Sequence, residues 1–104
     1  MRTPANNTLW KHSKTGNTYR VVTCARMEKT GEWVVVYHRE WHSENTFIRP
    51  VKEWLEEVEL VSKFPPGILC KTQRFVPIVG ESEAEHKFYV DREPYGDESK
   101  WAQT

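Results

Sequence analysis

His12, Lys14, Tyr19, Tyr37, Phe47 and Arg49 are the residues of this chain whose types combine into a chemistry, the binding of an anion beside flat rings. Arg49 directly precedes Pro50, which biases its backbone to an extended conformation. A guanidinium on a stiff strand end is suited to grip phosphate or carboxylate with two parallel hydrogen bonds. Tyr19, Tyr37 and Phe47 offer ring faces on which a base or another planar group stacks. His12 and Lys14 add polar donors. A purely structural reading stands beside this one: Arg49 pairs with Glu53 or Glu57, while Tyr37 and Phe47 fill the core.

Other chemistries find less support. His38-Arg39-Glu40-Trp41-His42 places two histidines four apart, but it reads as a strand entering a loop. On a strand that spacing separates them by about 13 Å, too far to share one metal ion, whereas zinc motifs of this spacing need a helix. No metal site is expected. His12 is the candidate general base, with Glu32, Glu40 or Glu44 as acids, yet no spacing pairs them. The chain has no strained serine elbow and no phosphate-cradling glycine loop. No cofactor is expected.

The elements that must position these residues are strands. Thr8–His12 is a short first strand, and residues 13–17 a turn. Thr18–Met27 alternates, with Tyr19, Val21, Thr23, Ala25 and Met27 on one face and Arg20, Val22, Cys24 and Arg26 on the other. Residues 28–31 make a tight connection. Glu32–Trp41 follows, and its Val34-Val35-Val36 run is apolar on both faces, which predicts a central strand. Residues 42–45 read as a polar loop, and 46–49 as a short strand stopped by Pro50.

Val51, Trp54, Leu55 and Val58 then recur at helical spacing, predicting a short helix over roughly residues 50–57 with Trp54 in the core. A strand is expected near residues 59–61. Pro65-Pro66-Gly67 excludes regular structure. Residues 68–78 make one further strand, broken by Pro77. The fold expected is mainly β, a small, strongly bent SH3-like barrel with one short α-helix.

Length and charge bound the rest. One hundred and four residues make one domain. The formal net charge of zero argues against a strongly basic nucleic-acid module, but it hides an asymmetry. Residues 1–79 hold twelve Lys/Arg and eight Asp/Glu, whereas residues 80–104 hold three and seven. A body of +4 thus carries an acidic extension of −4. Residues 1–8 are expected to be disordered, 9–79 to form the barrel, and 80–104 to be a tail. Phe88, Tyr89, Tyr95 and Trp101 suggest that part of the tail docks. Cys24 and Cys70 are the two cysteines and form no Cys-x-x-Cys pair. They fit reduced thiols in a cytoplasmic protein, with Cys24 packed as a small hydrophobe. No stretch is apolar enough to span a membrane, and no membrane association is expected.

One family fits this order of motifs. Trp10-Lys11-His12-Ser13-Lys14-Thr15-Gly16 with Tyr19 and Val21 resembles the opening of a bacterial and phage domain of unknown function, number 1653. Ala25, Thr30-Gly31-Glu32 and Val35-Val36-Tyr37 are similar to its central hairpin. Phe47-Ile48-Arg49-Pro50 with Trp54-Leu55 resembles its aromatic-x-Arg-Pro segment and the helix after it, and Arg74-Phe75 its closing pair. The resemblance covers about residues 9–78. Trp10 stands where that family favours Tyr, Phe47 where it favours Trp, and Thr15 is an insertion; aromatic character is kept. The resemblance implies a compact fold and a bacterial or phage origin, and it lends no catalytic mechanism.

Three functions remain open. The first is a non-catalytic module binding a nucleotide or nucleic acid on the aromatic and basic face. The second is a protein-interaction module using a sheet edge or the acidic tail. The third is a small enzyme with His12 as base.

Overall fold

A computed structural model describes residues 1–61, 69–80 and 84–92. Among them the chain is mainly β, with one short α-helix. Its strands are distributed over three sheets that do not close into a ring. Five strands make the main sheet: β2 (Thr8–His12), β3 (Thr18–Arg26), β4 (Trp33–Arg39), β5 (His42–Pro50) and β8 (Phe75–Pro77). They lie in the order β5-β4-β3-β2-β8, so β5 and β8 are its edges. β6 (Glu57–Val61) pairs with β7 (Leu69–Gln73), and β1 (Arg2–Pro4) with β9 (Tyr89–Asp91).

Local chemistry sets the turns. The β2–β3 turn needs a left-handed residue, and Gly16 supplies it at φ +77° with nothing near an added Cβ. Conformation, not space, therefore selects glycine there. The β3–β4 turn is closed by Gly31 N–H donating to Met27 O at 2.7 Å, with Gly31 at φ +74°. The β4–β5 turn has no such residue. Trp41 takes φ +71° and is 89% exposed, a strained position for a bulky side chain. Composition therefore could not mark it, and β5 starts at His42 instead of residue 46. Residues 43–45 do stand outside the regular ladder, because the register jumps from His38–Thr46 to Arg39–His42.

Four other sequence expectations are corrected. On β3, strict alternation puts Val21 and Cys24 on opposite faces, yet both are buried, at 0% and 9% exposure. The register shifts between Val21 and Thr23. This bulge adds one residue, leaves Val22 45% exposed and turns Cys24 inward.

The helix is α1, Val51–Trp54, a single turn entered from Pro50. It is shorter than its apolar stripe because residues from Glu57 onward pair with β7. Val51, Trp54 and Val58 are buried as the stripe requires, but Val58 reaches the interior from a strand. Residues 69–77 form two strands divided at Arg74, where the chain leaves β6 for β2. The Pro65-Pro66-Gly67 expectation lies outside the described residues.

The expectation of disorder over residues 1–8 also fails. β1 is held by β9, and Thr3 is fully buried. Thr3 Oγ1 donates to Val90 O at 3.3 Å and accepts from Arg92 Nε at 3.3 Å. Ahead of β9, a 3₁₀ turn (Glu85–Phe88) delivers Phe88 against Trp10, with ring centroids 6.3 Å apart. Tyr89 meets Trp10 edge-on at 5.4 Å. Tyr95 and Trp101 lie outside the described residues. Truncation after Val79 should therefore shift the amide resonances of residues 2–4 and Trp10 and lower the melting temperature. Unchanged resonances there would contradict this packing.

The core lies between the main sheet, α1 and the β9 segment. Trp10, Val21, Cys24, Val35, Tyr37, Val51, Trp54, Phe75 and Phe88 form one cluster. Its centre is an aromatic stack, Trp54 lying flat on Phe75 at 3.8 Å with an interplanar angle of 3°.

Candidate functional site

Strand register gathers the candidate residues. Tyr37 on β4 faces Phe47 on β5, and Arg49 follows Phe47 on the same side of β5. His12, at the end of β2, pairs with Phe75 on β8. Tyr19, the second residue of β3, lies opposite Arg39.

Their side chains meet around Phe75. The His12 ring lies edge-on to Phe75 at 4.9 Å, and Tyr19 does so at 5.7 Å. Tyr37 is 6.0 Å from Phe75, 4.9 Å from Trp54, 5.6 Å from Tyr19 and 5.9 Å from Phe47. The Arg49 guanidinium lies 5.5 Å from the Phe75 centroid, within cation–π range. Arg49 Nε donates to Tyr37 Oη over a long 3.4 Å.

Exposure separates the roles. Tyr37 is 6% exposed and belongs to the core, as the structural reading held. Phe47 is half exposed and does not fill the core. Arg49 forms no ion pair with Glu53 or Glu57 among the described residues. Its fork lies over the Phe75 ring and against one hydroxyl, with no carboxylate among the described residues to neutralise it.

Lys14 is exposed in the β2–β3 turn, and its position is read through His12. Burial first, then the charges of Arg49, Arg74 and Lys14, lower the His12 pKa below its usual 6.5. Three cations thus bear on one imidazole. The Thr15 N–H donates to His12 Nδ1 at 3.3 Å, so the neutral ring carries its proton on Nε2. That leaves a donor, with no lone pair, for any ligand approaching Nε2. The geometry weighs against His12 as a general base.

Stability should respond to pH accordingly. A histidine with a lowered folded pKa favours the native state when neutral. Its contribution is present above pH 6.5 and is lost as pH falls below 6.5 toward the folded value. His12→Gln should therefore flatten the loss of melting temperature between pH 7.5 and 5.5. Parallel curves for both proteins would contradict the shift.

Sequence reasoning left Arg74, Phe75 and Trp54 out of the site. Phe75 is its centre, yet it is joined to His12 by a pairing 63 residues apart in the chain. The Arg74-Phe75 pair, one of the motifs of the resemblance, was the available signal. Arg74 reaches Glu56 at 3.5 Å. Arg74 Nε and Trp54 Nε1 are buried with no hydrogen-bond partner among the described residues, an unusual state for buried donors.

Other chemistry is not assembled among the described residues. Among the described residues no group of three or more His, Cys, Asp or Glu can hold a metal ion. His42 Nδ1 lies 3.3 Å from Glu44, and His38 Nδ1 lies 2.9 Å from the Arg39 carbonyl. Burial raises the Cys24 pKa and keeps the thiol protonated, which makes it a poor nucleophile. A separate cleft of about 150 Å³ is lined by Asn7, Thr8, Leu9, Arg20, Ile78 and Phe88. Its Arg20 is already bonded to Glu40 and Asn7. No helix among the described residues is long and apolar enough to cross a membrane.

Comparison with known proteins agrees with the order of motifs. No curated protein and no solved structure matches the chain. The profile of the family described as "Protein of unknown function (DUF1653)" matches residues 8–77, from the first strand of the main sheet to the last. That span includes all six candidate residues together with Arg74 and Phe75, and the chain belongs to this family.

Proposed function

We propose that this domain is a non-catalytic binding module that takes an anionic partner, a nucleotide or nucleic acid, on the face formed by His12, Lys14, Tyr19, Tyr37, Phe47 and Arg49. One observation carries the reading. Arg49 lies against Tyr37 and Phe75 with no carboxylate among the described residues to neutralise it. An arginine that only stabilised the fold would be expected on Glu53 or Glu57. A cation held by one ring and one weak hydrogen bond keeps its fork for a ligand. Tyr37 serves as support for Arg49, and Phe47 and Tyr19 present ring surface. His12 contributes an uncharged Nε2–H.

A cytoplasmic setting goes with the two free thiols, Cys24 and Cys70, and a bacterial or phage origin with the resemblance of the motifs. The test is the change in melting temperature on adding nucleotides, short oligonucleotides and uncharged nucleosides at low salt. Stabilisation by the anionic compounds alone, fading as salt rises, is the expected result. Equal effects of nucleosides and nucleotides, or none from either, would remove the reading.

A second reading has its own observation. β5 is an edge strand and carries Phe47 and Ile48 at 50% and 61% exposure. A protein segment adding a strand there would satisfy open main-chain groups. Such a partner would bind regardless of anions.

A further inference from the structure

We propose that the ligand of this face carries a terminal phosphate monoester and one planar base, the chemistry of a nucleoside monophosphate and not of a continuous nucleic-acid strand. The inference rests on the anion-binding reading above and narrows it. Charge is its first support. Arg49 lies against Phe75 and Tyr37, Arg74 adjoins Phe75, whose ring meets His12 at 4.9 Å, and Lys14 follows His12 by two residues; the charges of all three bear on the His12 ring, and Glu56 beside Arg74 offsets one of them. Two positive charges remain. A phosphate monoester near neutral pH approaches two negative charges, whereas a diester linkage carries one. The Nε2–H of His12, left free by the Thr15 contact to Nδ1, adds a donor without adding charge.

The surroundings support the same choice. A strand of diesters places charges at regular intervals and is tracked by a series of cations. The exposed run from Trp41 to Ile48, continuing away from Arg49, contains no Lys or Arg and holds Glu44. Such a run repels a polyanion. The cationic patch is therefore a spot and not a track along β5. For the base, Phe47 is the half-exposed ring next to that spot, tilted 44° against Tyr37, whereas Tyr37 itself is covered. One exposed ring beside one cationic spot fits one base on one phosphate.

Calorimetric affinities at pH 7.5 and low salt test this. The probes are four nucleoside 5′-monophosphates, their nucleosides, diester-linked dinucleotides without terminal phosphate, and inorganic phosphate. At least one monophosphate should bind about tenfold more tightly than its nucleoside and its dinucleotide, the scale expected for one extra charge-assisted contact. Phe47→Ala should erase the advantage of that monophosphate over inorganic phosphate and leave inorganic phosphate binding unchanged. Dinucleotides binding as tightly as monophosphates would overturn the monoester inference while leaving the anion-binding face standing. Absence of binding by every anionic probe would overturn both. An undiminished base advantage in Phe47→Ala would overturn the assignment of the base to that ring.

Discussion

Trp54→Ala should lower the stability of the domain by about 3–5 kcal/mol, the usual range for deleting a buried large aromatic ring. Trp54 is fully buried. It stacks flat on Phe75 and meets Trp10 and Tyr37 edge-on at 5.7 and 4.9 Å. Removing it opens a cavity between α1 and the main sheet and leaves three rings without their common neighbour. A domain of this size has a total stability of roughly 5–15 kcal/mol, so the variant should lose a large share of it. Trp54→Phe keeps a ring and should cost less. Urea denaturation followed by circular dichroism measures both. A Trp54→Ala protein with the wild-type midpoint would show that the core is not organised around this stack.

Arg49→Ala should sharply weaken stabilisation by phosphate-bearing ligands while changing the stability of the ligand-free domain little. Its hydrogen bond to Tyr37 is long, at 3.4 Å, and no carboxylate among the described residues pairs with it. Little is therefore lost when it leaves the free protein. In the complex, hydrogen bonds to a charged partner contribute roughly 1.5–3 kcal/mol, about a tenfold to hundredfold loss of affinity on truncation. Arg49→Lys retains the charge and loses the planar fork, so it should fall between the two. Titration calorimetry on all three proteins reads these differences. A large fall in ligand-free stability with ligand response intact would make Arg49 a structural residue.

Much of the architecture was legible because it follows from local rules. Gly16 and Gly31 marked their turns through the conformation that each must adopt. Pro50 and the spacing of Val51 and Trp54 marked the change from strand to helix. The misses arise where the deciding interaction is remote or breaks a local rule. The bulge at Val21 to Thr23 is invisible to strict alternation and moves Cys24 to the interior. Trp41 turns the chain without a turn-former's side chain. β1 exists because β9 lies beside it, with Thr3 facing Val90 from 87 residues away.

The site divides along the same line. Tyr37, Phe47 and Arg49 were readable because adjacent antiparallel strands place them together. Phe75 was not, since nothing near His12 in the chain announces that β8 will close against β2. The burial of Tyr37 was one of two readings left open by the sequence, because a tyrosine on an apolar strand serves a core and a surface equally well by type.

Amide shift mapping of the ¹⁵N-labelled domain with nucleoside monophosphates at low salt tests the central claim most directly. The account predicts concentration-dependent shifts centred on residues 12–15, 19, 47–49 and 74–75, with the opposite side of the domain, including Asn7 and Arg20, unaffected. Shifts absent from this set, or confined to the cleft around Arg20, would contradict it.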